Sequence, residues 1–269
     1  MKITKLRSIL IDLFVFILGF ISLLAPFLFQ GARYPDFTQS AFPIMVSLII
    51  LLCLAIIIFE AQSSLMDSKM IALLGVLIAI NAGLRFLENA IPGPAGFSPI
   101  FFLIILVGYC FGSRVGFLMG AMTMLVSALI TGGVGPWLPG QMITAGWLGQ
   151  SSALLRALID NLGWNGKSLE VLSLAVFSAI WGILYGFIMN LWFWPFLAAS
   201  PGIAWSQSAS LAENFQGYFA YYLATSVIWD VTRAIGNIIV FTVMTRPVIK
   251  ILERFIQRFT FRYQEVIKR

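Results

Sequence analysis

Four ionisable side chains sit in two pairs within otherwise apolar sequence: Arg85 with Glu88, and Asp230 with Arg233. The members of each pair are three residues apart, so in a helix they share a face. Charges at membrane depth are costly and must find each other or a polar cavity. Such a face either braces a bundle or lines a pocket, and for Arg85 and Glu88 a pocket is the stronger reading. Tyr222, Ser226, Asp230, Arg233 and Asn237 follow each other by four, four, three and four residues, which makes one helical stripe. Asp230 and Arg233 are expected to pair with each other or with Arg85 and Glu88. Asn89, Trp137 and Gln141 stand in or beside neighbouring turns. The candidate substrate-binding set is therefore Arg85, Glu88, Asn89, Trp137, Gln141, Tyr222, Ser226, Asp230 and Arg233. Asn190, near Trp192 and Trp194, is a weaker candidate wall.

The chemistry left out is as telling. There is no histidine, which removes His-ligated metals, Ser-His and Cys-His nucleophile pairs, and imidazole relays. No phosphate-cradling glycine loop is present, so nucleotide binding is not expected. Cys53 and Cys110 lie in apolar runs and read as packing residues. No catalytic residue, cofactor or metal is assigned.

The helix that must carry Arg85 and Glu88 has a second face. Gly75, Ala79 and Gly83 are four apart and form a narrow stripe without bulky side chains, nearly opposite Asn81, Arg85 and Glu88. Such a stripe lets another helix approach closely. Packing within the bundle and contact with another subunit are both open.

Eight apolar runs position these groups, at about 8–30, 41–59, 70–88, 98–112, 115–131, 141–158, 171–197 and 216–245. Most approach or exceed the roughly 20 residues that cross a bilayer as a helix. With hydrophobic residues at 60% and charged ones at 10%, the chain reads as an all-α polytopic membrane protein with about eight transmembrane helices. With the N-terminus in the cytoplasm, fourteen of the 17 Lys and Arg residues fall on the cytoplasmic side and only Arg33 outside. That bias places both termini in the cytoplasm of an inner-membrane protein. The net charge of +6 is then explained by anchoring beside anionic lipid rather than by nucleic acid. The first run is too long for a signal-peptide core, and no small-residue cleavage site follows it closely.

Three sections are expected. Residues 1–66 form a two-helix hairpin, read as lipid-facing anchors or packing ribs. Residues 67–245 hold six spans rich in Gly, Pro, Trp and buried polar groups. Residues 246–269 form a basic amphipathic tail, with Arg246, Lys250, Arg254, Arg258 and Arg262 at four-residue intervals, read as a helix on the inner leaflet. The outer loops at 89–99 and 131–141 lack Lys and Arg and are rich in Gly and Pro, so they are shaped turns. Beside Arg85 and Glu88 they suggest a lidded site.

Several stretches resemble a known family: Gly75-xxx-Ala79-xxx-Gly83, Gly96-Phe97-Ser98-Pro99-Ile100-Phe101-Phe102, Gly108-Tyr109-x-Phe111-Gly112-Ser113-Arg114, and Thr131-Gly-Gly-Val-Gly-Pro-Trp-Leu-Pro139-x-Gln141-Met142 through Gly146-Trp147. Together they resemble the substrate-binding S components of energy-coupling factor (ECF) vitamin transporters. The resemblance implies a six-helix core whose outer loops close over a vitamin. It also implies that Gly75, Ala79 and Gly83 dock on a membrane-embedded T subunit, and that two cytoplasmic ATPase subunits drive the cycle. The chain would bind substrate and not act as an enzyme. The Gly-Pro-Trp-Leu-Pro variant resembles S components of the cobalamin type. The N-terminal hairpin departs from the six-helix pattern. Two rivals stand beside this reading. One is a stand-alone ion-coupled secondary transporter using Asp230 and Arg233, although no internal repeat is evident. The other is an intramembrane enzyme, for which the core lacks clustered carboxylates or a nucleophile–base pair.

Overall fold

The structure is a computed structural model that describes residues 13–17, 19–21, 23–24, 27, 44–56, 58, 68–90, 98–196, 202–206 and 208–259. The expectations for Arg33, for residues 91–97 of the first outer loop and for the tail beyond 259 lie outside the described residues.

Helices dominate, and no strand occurs among the described residues. Helix α1 comprises the helical residues 13–17, 19–21 and 23–24, and α2 is Ile44–Ile56. Then follow α3 (Ser68–Ala90), α4 (Ile100–Phe111), α5 (Ser113–Thr131), α6 (Leu138–Leu162) and α7 (Ser168–Phe193). A short 3-10 turn at Trp194–Phe196 leads to α8 (Leu211–Thr225) and α9 (Val227–Phe259). Four described helices are long and apolar enough to cross a membrane. Their outward faces carry large exposed apolar side chains, among them Val76, Ile80, Leu129, Leu172, Ile180, Ile239 and Val243. Apolar surface on that scale needs lipid around it. The chain is a multi-pass membrane protein.

Helix α4 is the centre, with nine of its 12 residues buried. It ends where Gly112 adopts φ 96° and ψ 173°, a conformation that side chains disfavour, so α5 turns back at once. The backbones of α4, α5 and α6 meet through glycines. A Cβ on Gly108 or Gly116 would collide with the Gly149 carbonyl, and one on Gly149 with that of Gly116. Small residues let these helices approach without intervening side chains. Pro139 in the first turn of α6 costs no helical hydrogen bond. Gly163, with φ 64°, closes the other end in the left-handed form.

The apolar run at 216–245, expected as one span, is two helices. Ser226 breaks it, with φ −132° and ψ −25°. Its N–H bonds the Tyr222 carbonyl and its own carbonyl accepts from Asp230 N–H, so it closes α8 and opens α9. The physical reason is visible in the side chains. Tyr222 hydroxyl donates to Asp230 Oδ2 at 2.8 Å. In an unbroken helix these residues would stand about 12 Å apart along the axis. At the other end, α9 passes through Pro247 and continues to Phe259.

The N-terminal residues pack on the bundle. Phe16 stacks on Trp147 of α6 with ring centroids 5.5 Å apart, and Phe27 meets Trp205 edge-on at 5.0 Å. Val15, Ile49, Leu52, Cys53 and Ile56 are buried in the main core, while Leu13, Phe14, Phe20 and Leu48 face outward.

Candidate functional site

Helix α6 is one continuous element, so Trp137 at its start and Gly166 just past its end mark opposite ends of the bundle. The ionisable groups of α3 and α9 meet in the half toward Trp137.

Asp230 is 2% exposed in the first turn of α9. Arg233 Nη1 donates to its Oδ1, and Tyr222 hydroxyl to its Oδ2. The same Arg233 nitrogen donates to the Gly182 carbonyl of α7 at 3.1 Å. Gly182 lies fourteen residues into α7, so the pair sits about 21 Å along that helix, well inside a hydrocarbon layer roughly 30 Å thick. Of the two pairings expected for Asp230 and Arg233, the direct one forms. Arg233 also lies over the Phe101 ring, 6.0 Å from its centroid.

Glu88 does not pair tightly with Arg85. Its Oε2 accepts from Ser98 hydroxyl at 2.7 Å, while Arg85 and Arg233 both act on it through space. Tyr222, Asp230 and Arg233 thus form one hydrogen-bonded network contributed by α8 and α9 and anchored on α7, while Glu88 of α3 is held separately by Ser98. Asn81, one turn before Arg85, is fully buried and acts as a strut. Its Nδ2 donates to the Ile100 carbonyl at 3.1 Å and to Thr123 Oγ1 at 3.3 Å, while its Oδ1 is buried without a hydrogen-bond partner.

The remaining candidates lie elsewhere. Trp137 folds back over its own loop. Its indole N–H donates to the Gly133 carbonyl at 3.2 Å, and its ring stacks against Phe193 at 6.2 Å. It belongs to an aromatic group with Trp192, Phe193 and Phe196, joined by Leu23 and Met45 of the N-terminal hairpin. Gln141 is half-buried one turn into α6. Ser226 is half-buried and its hydroxyl meets Thr225, not the ionic network. Asn89 ends on α3, and its side chain lies outside the described residues. Asn190 donates to the Gly186 carbonyl of its own helix at 2.9 Å.

Several structural contributors were not singled out from sequence. Ser98 holds Glu88. Gly182 and Gly186 carve the channel on α7 that receives α9: a Cβ on Gly182 would press on the Ala234 backbone, and one on Gly186 would occupy the Asp230 carboxylate. Their four-residue spacing is the same small-residue signal that marks α3, and it was there to be read. Trp194 indole N–H donates to the Ile203 carbonyl at 2.8 Å. Asn214 Nδ2 and Oδ1 clasp the Ser206 backbone at 2.8 and 3.0 Å, which pins the turn before α8. No group of three or more potential metal ligands occurs among the described residues.

The stripe of α3 faces away from all this. Gly75 and Ala79 are exposed, and a Cβ built on Gly75 or Gly83 would meet nothing within 4 Å. The bare stripe is the face that the spacing of Gly75, Ala79 and Gly83 marked. The family model for the ECF transporter, substrate-specific component, matches residues 69–245. This chain belongs to that family. The matched span begins at the second residue of α3 and ends within α9, so it takes in the whole network and the stripe. No curated protein and no solved structure matches the chain. As an ECF substrate-specific component, the protein is a membrane subunit of a transporter.

Proposed function

We propose that this S component captures a vitamin, with a cobalamin-like compound favoured, at a pocket on the Trp137 end of the bundle. It then docks through Gly75, Ala79 and Gly83 on a T subunit served by two cytoplasmic ATPase subunits. In this reading the Trp137 end faces outward in the plasma membrane of a prokaryote. The Gly166 end and both termini are cytoplasmic, and about eight helices span the bilayer. Residues 67–245 are the substrate-binding core, residues 1–66 an accessory hairpin, and residues 246–269 a basic tail at the inner leaflet. The observation that carries the proposal is the two-faced α3. Its bare flank is exposed at Gly75 and Ala79, and its other flank carries Arg85 and Glu88, with Glu88 bonded to the Ser98 hydroxyl. Aromatic groups around Trp192 and around Trp194, Tyr218 and Tyr222 supply apolar walls suited to a large, partly aromatic ligand.

The test is affinity purification of the full chain from its native membrane, with identification of the small molecule and the proteins that accompany it. A vitamin together with a T subunit and ATPases is expected, and Arg85→Ala or Trp137→Ala should weaken vitamin capture. If neither substitution alters uptake by cells, the pocket is wrongly placed. The ion-coupled alternative rests on Asp230 and Arg233. Their partners, Tyr222 and the Gly182 carbonyl, favour a bracing role. Gradient-driven uptake by proteoliposomes containing this chain alone would reverse that preference.

A further inference from the structure

The Gly166 end contains a cavity of about 420 Å³ between the α6–α7 turn and α9. Small-molecule sites run from roughly 300 to 1,000 Å³. Its wall carries Arg156, Arg246 and Lys250 against Glu170 and Glu253, a balance of three positive to two negative. Both carboxylates are already engaged. Glu170 accepts from Tyr109 hydroxyl at 2.6 Å and from Gly166 N–H at 2.7 Å. Glu253 faces Arg156 at 3.6 Å, and Arg156 also bonds Asp160 at 3.0 Å and covers the Tyr109 ring. None of these carboxylates lies within ion-pair distance of Arg246 or Lys250. Arg246 donates only to the neutral Ser168 hydroxyl, at 3.2 Å, and Lys250 has no ion-pair partner among the described residues. They are four residues apart on one face of α9, where like charges repel unless an anion bridges them. Val243, one turn before Arg246 on the same face, is 66% exposed, and Met244 and Ile251 beside that face are also exposed. Two cations at the mouth of a cavity, with bare apolar surface one turn away toward the membrane, match a charged headgroup attached to an acyl chain.

We infer that this cavity binds the phosphate headgroup of an anionic phospholipid, with Arg246 and Lys250 as its principal contacts and Val243 beside the chain. Basic pockets between helices at a membrane surface take such headgroups. The inference goes beyond the transport reading. It also holds for either orientation of the chain, because it concerns only which lipid the cavity retains.

The test uses the purified full chain in detergent micelles, with retained lipid counted by native mass spectrometry. Phosphatidylglycerol should be retained over phosphatidylcholine, and it alone should raise the thermal midpoint of the unaltered protein. The double substitution Arg246→Gln with Lys250→Gln should lower retention about tenfold or more, given the size of two basic contacts at a membrane surface. Lys69→Gln with Arg254→Gln removes the same charge outside the cavity and should change it little. An equal loss from the two double variants overturns the inference, because the attraction would then be diffuse. Equal retention and equal stabilisation by both lipids also overturns it and leaves the two cations to an acidic protein segment. Displacement of phosphatidylglycerol by millimolar inorganic phosphate overturns the lipid assignment in favour of a soluble phosphate.

Discussion

The two ends of the bundle use their charges in different ways. Toward Trp137, Asp230 and Arg233 are held between helices, with side chains 3% and 17% exposed, and their hydrogen bonds go to Tyr222 and the Gly182 carbonyl. Toward Gly166, Arg156 shares Asp160 and Glu253 at side-chain exposures of 32%, 46% and 44%. The first group sets how α7, α8 and α9 meet. The second decorates a surface and leaves Arg246 and Lys250 in excess. Depth explains the contrast: desolvated charges must be matched atom by atom, while charges near headgroups and water can stay unbalanced.

Substitutions can break this contrast. The largest effect is expected for Asp230→Ala, which strands Arg233 at membrane depth. Loss of one partner of a buried pair costs about 3–5 kcal/mol, so thermal unfolding in detergent should show severe destabilisation. Adding Arg233→Gln should recover part of that loss; a double variant no better than the single would mean that the ion pair is not what stabilises this contact. Gly186→Ala comes next. Its methyl group needs the space of the Asp230 carboxylate, and overpacking of this kind costs about 1–3 kcal/mol. Normal stability in Gly186→Ala would show that α7 and α9 separate more easily than their packing suggests.

At the other end, Arg156→Gln should cost no more than about 1 kcal/mol, because half-exposed pairs are weak. A loss as large as that of Asp230→Ala would erase the distinction between the ends. The smallest effect concerns the start of α8. Ser210 Oγ accepts from Glu213 N–H while Glu213 Oε2 accepts from Ser210 N–H, which closes a capping box. Hydrogen bonds to its Oε2 from the Ser210 hydroxyl first and the Ser210 N–H second hold the exposed Glu213 carboxyl below its usual range. A group with a lowered folded pKa stabilises above its unfolded pKa, and that contribution fades as pH falls through the folded value. Amide exchange at Ser210 and Glu213 should therefore be better protected at neutral than at acidic pH, after correction for intrinsic rates. Equal protection at both would remove the carboxylate from the cap.

Much of this was readable in the chain. The i,i+3 spacing of Asp230 and Arg233 announced their pairing, and the alternation of small and polar residues along 75–88 announced the two flanks of α3. Arg85 and Glu88 show where reading stopped. Their spacing left a direct pair and a polar pocket open, with the pocket favoured, and did not show Ser98, just before α4, as the hydrogen-bond partner of Glu88. That partner is ten residues away in sequence, and its proximity comes from the chain turning back. The break at Ser226 was hidden because the polar residues of 216–245 are spaced as one continuous helical stripe, and spacing does not register a bond from Tyr222 to Asp230 that only a bent chain can make. Nor did the sequence show that Trp137 packs with the α7 aromatics Trp192 and Phe193, because that contact depends on how α6 and α7 cross.

Residue order alone established membrane residence, the family and the presence of a polar flank on α3. The first follows from composition and the last from spacing along one helix, where geometry is local; the family follows from the match over residues 69–245. Which polar groups share a network, that α9 is separate from α8, and that unmatched cations border a cavity beside Gly166 were decided by the tertiary structure. These depend on distances between helices, and such distances are set by where glycines let backbones close and where buried charges demand a partner.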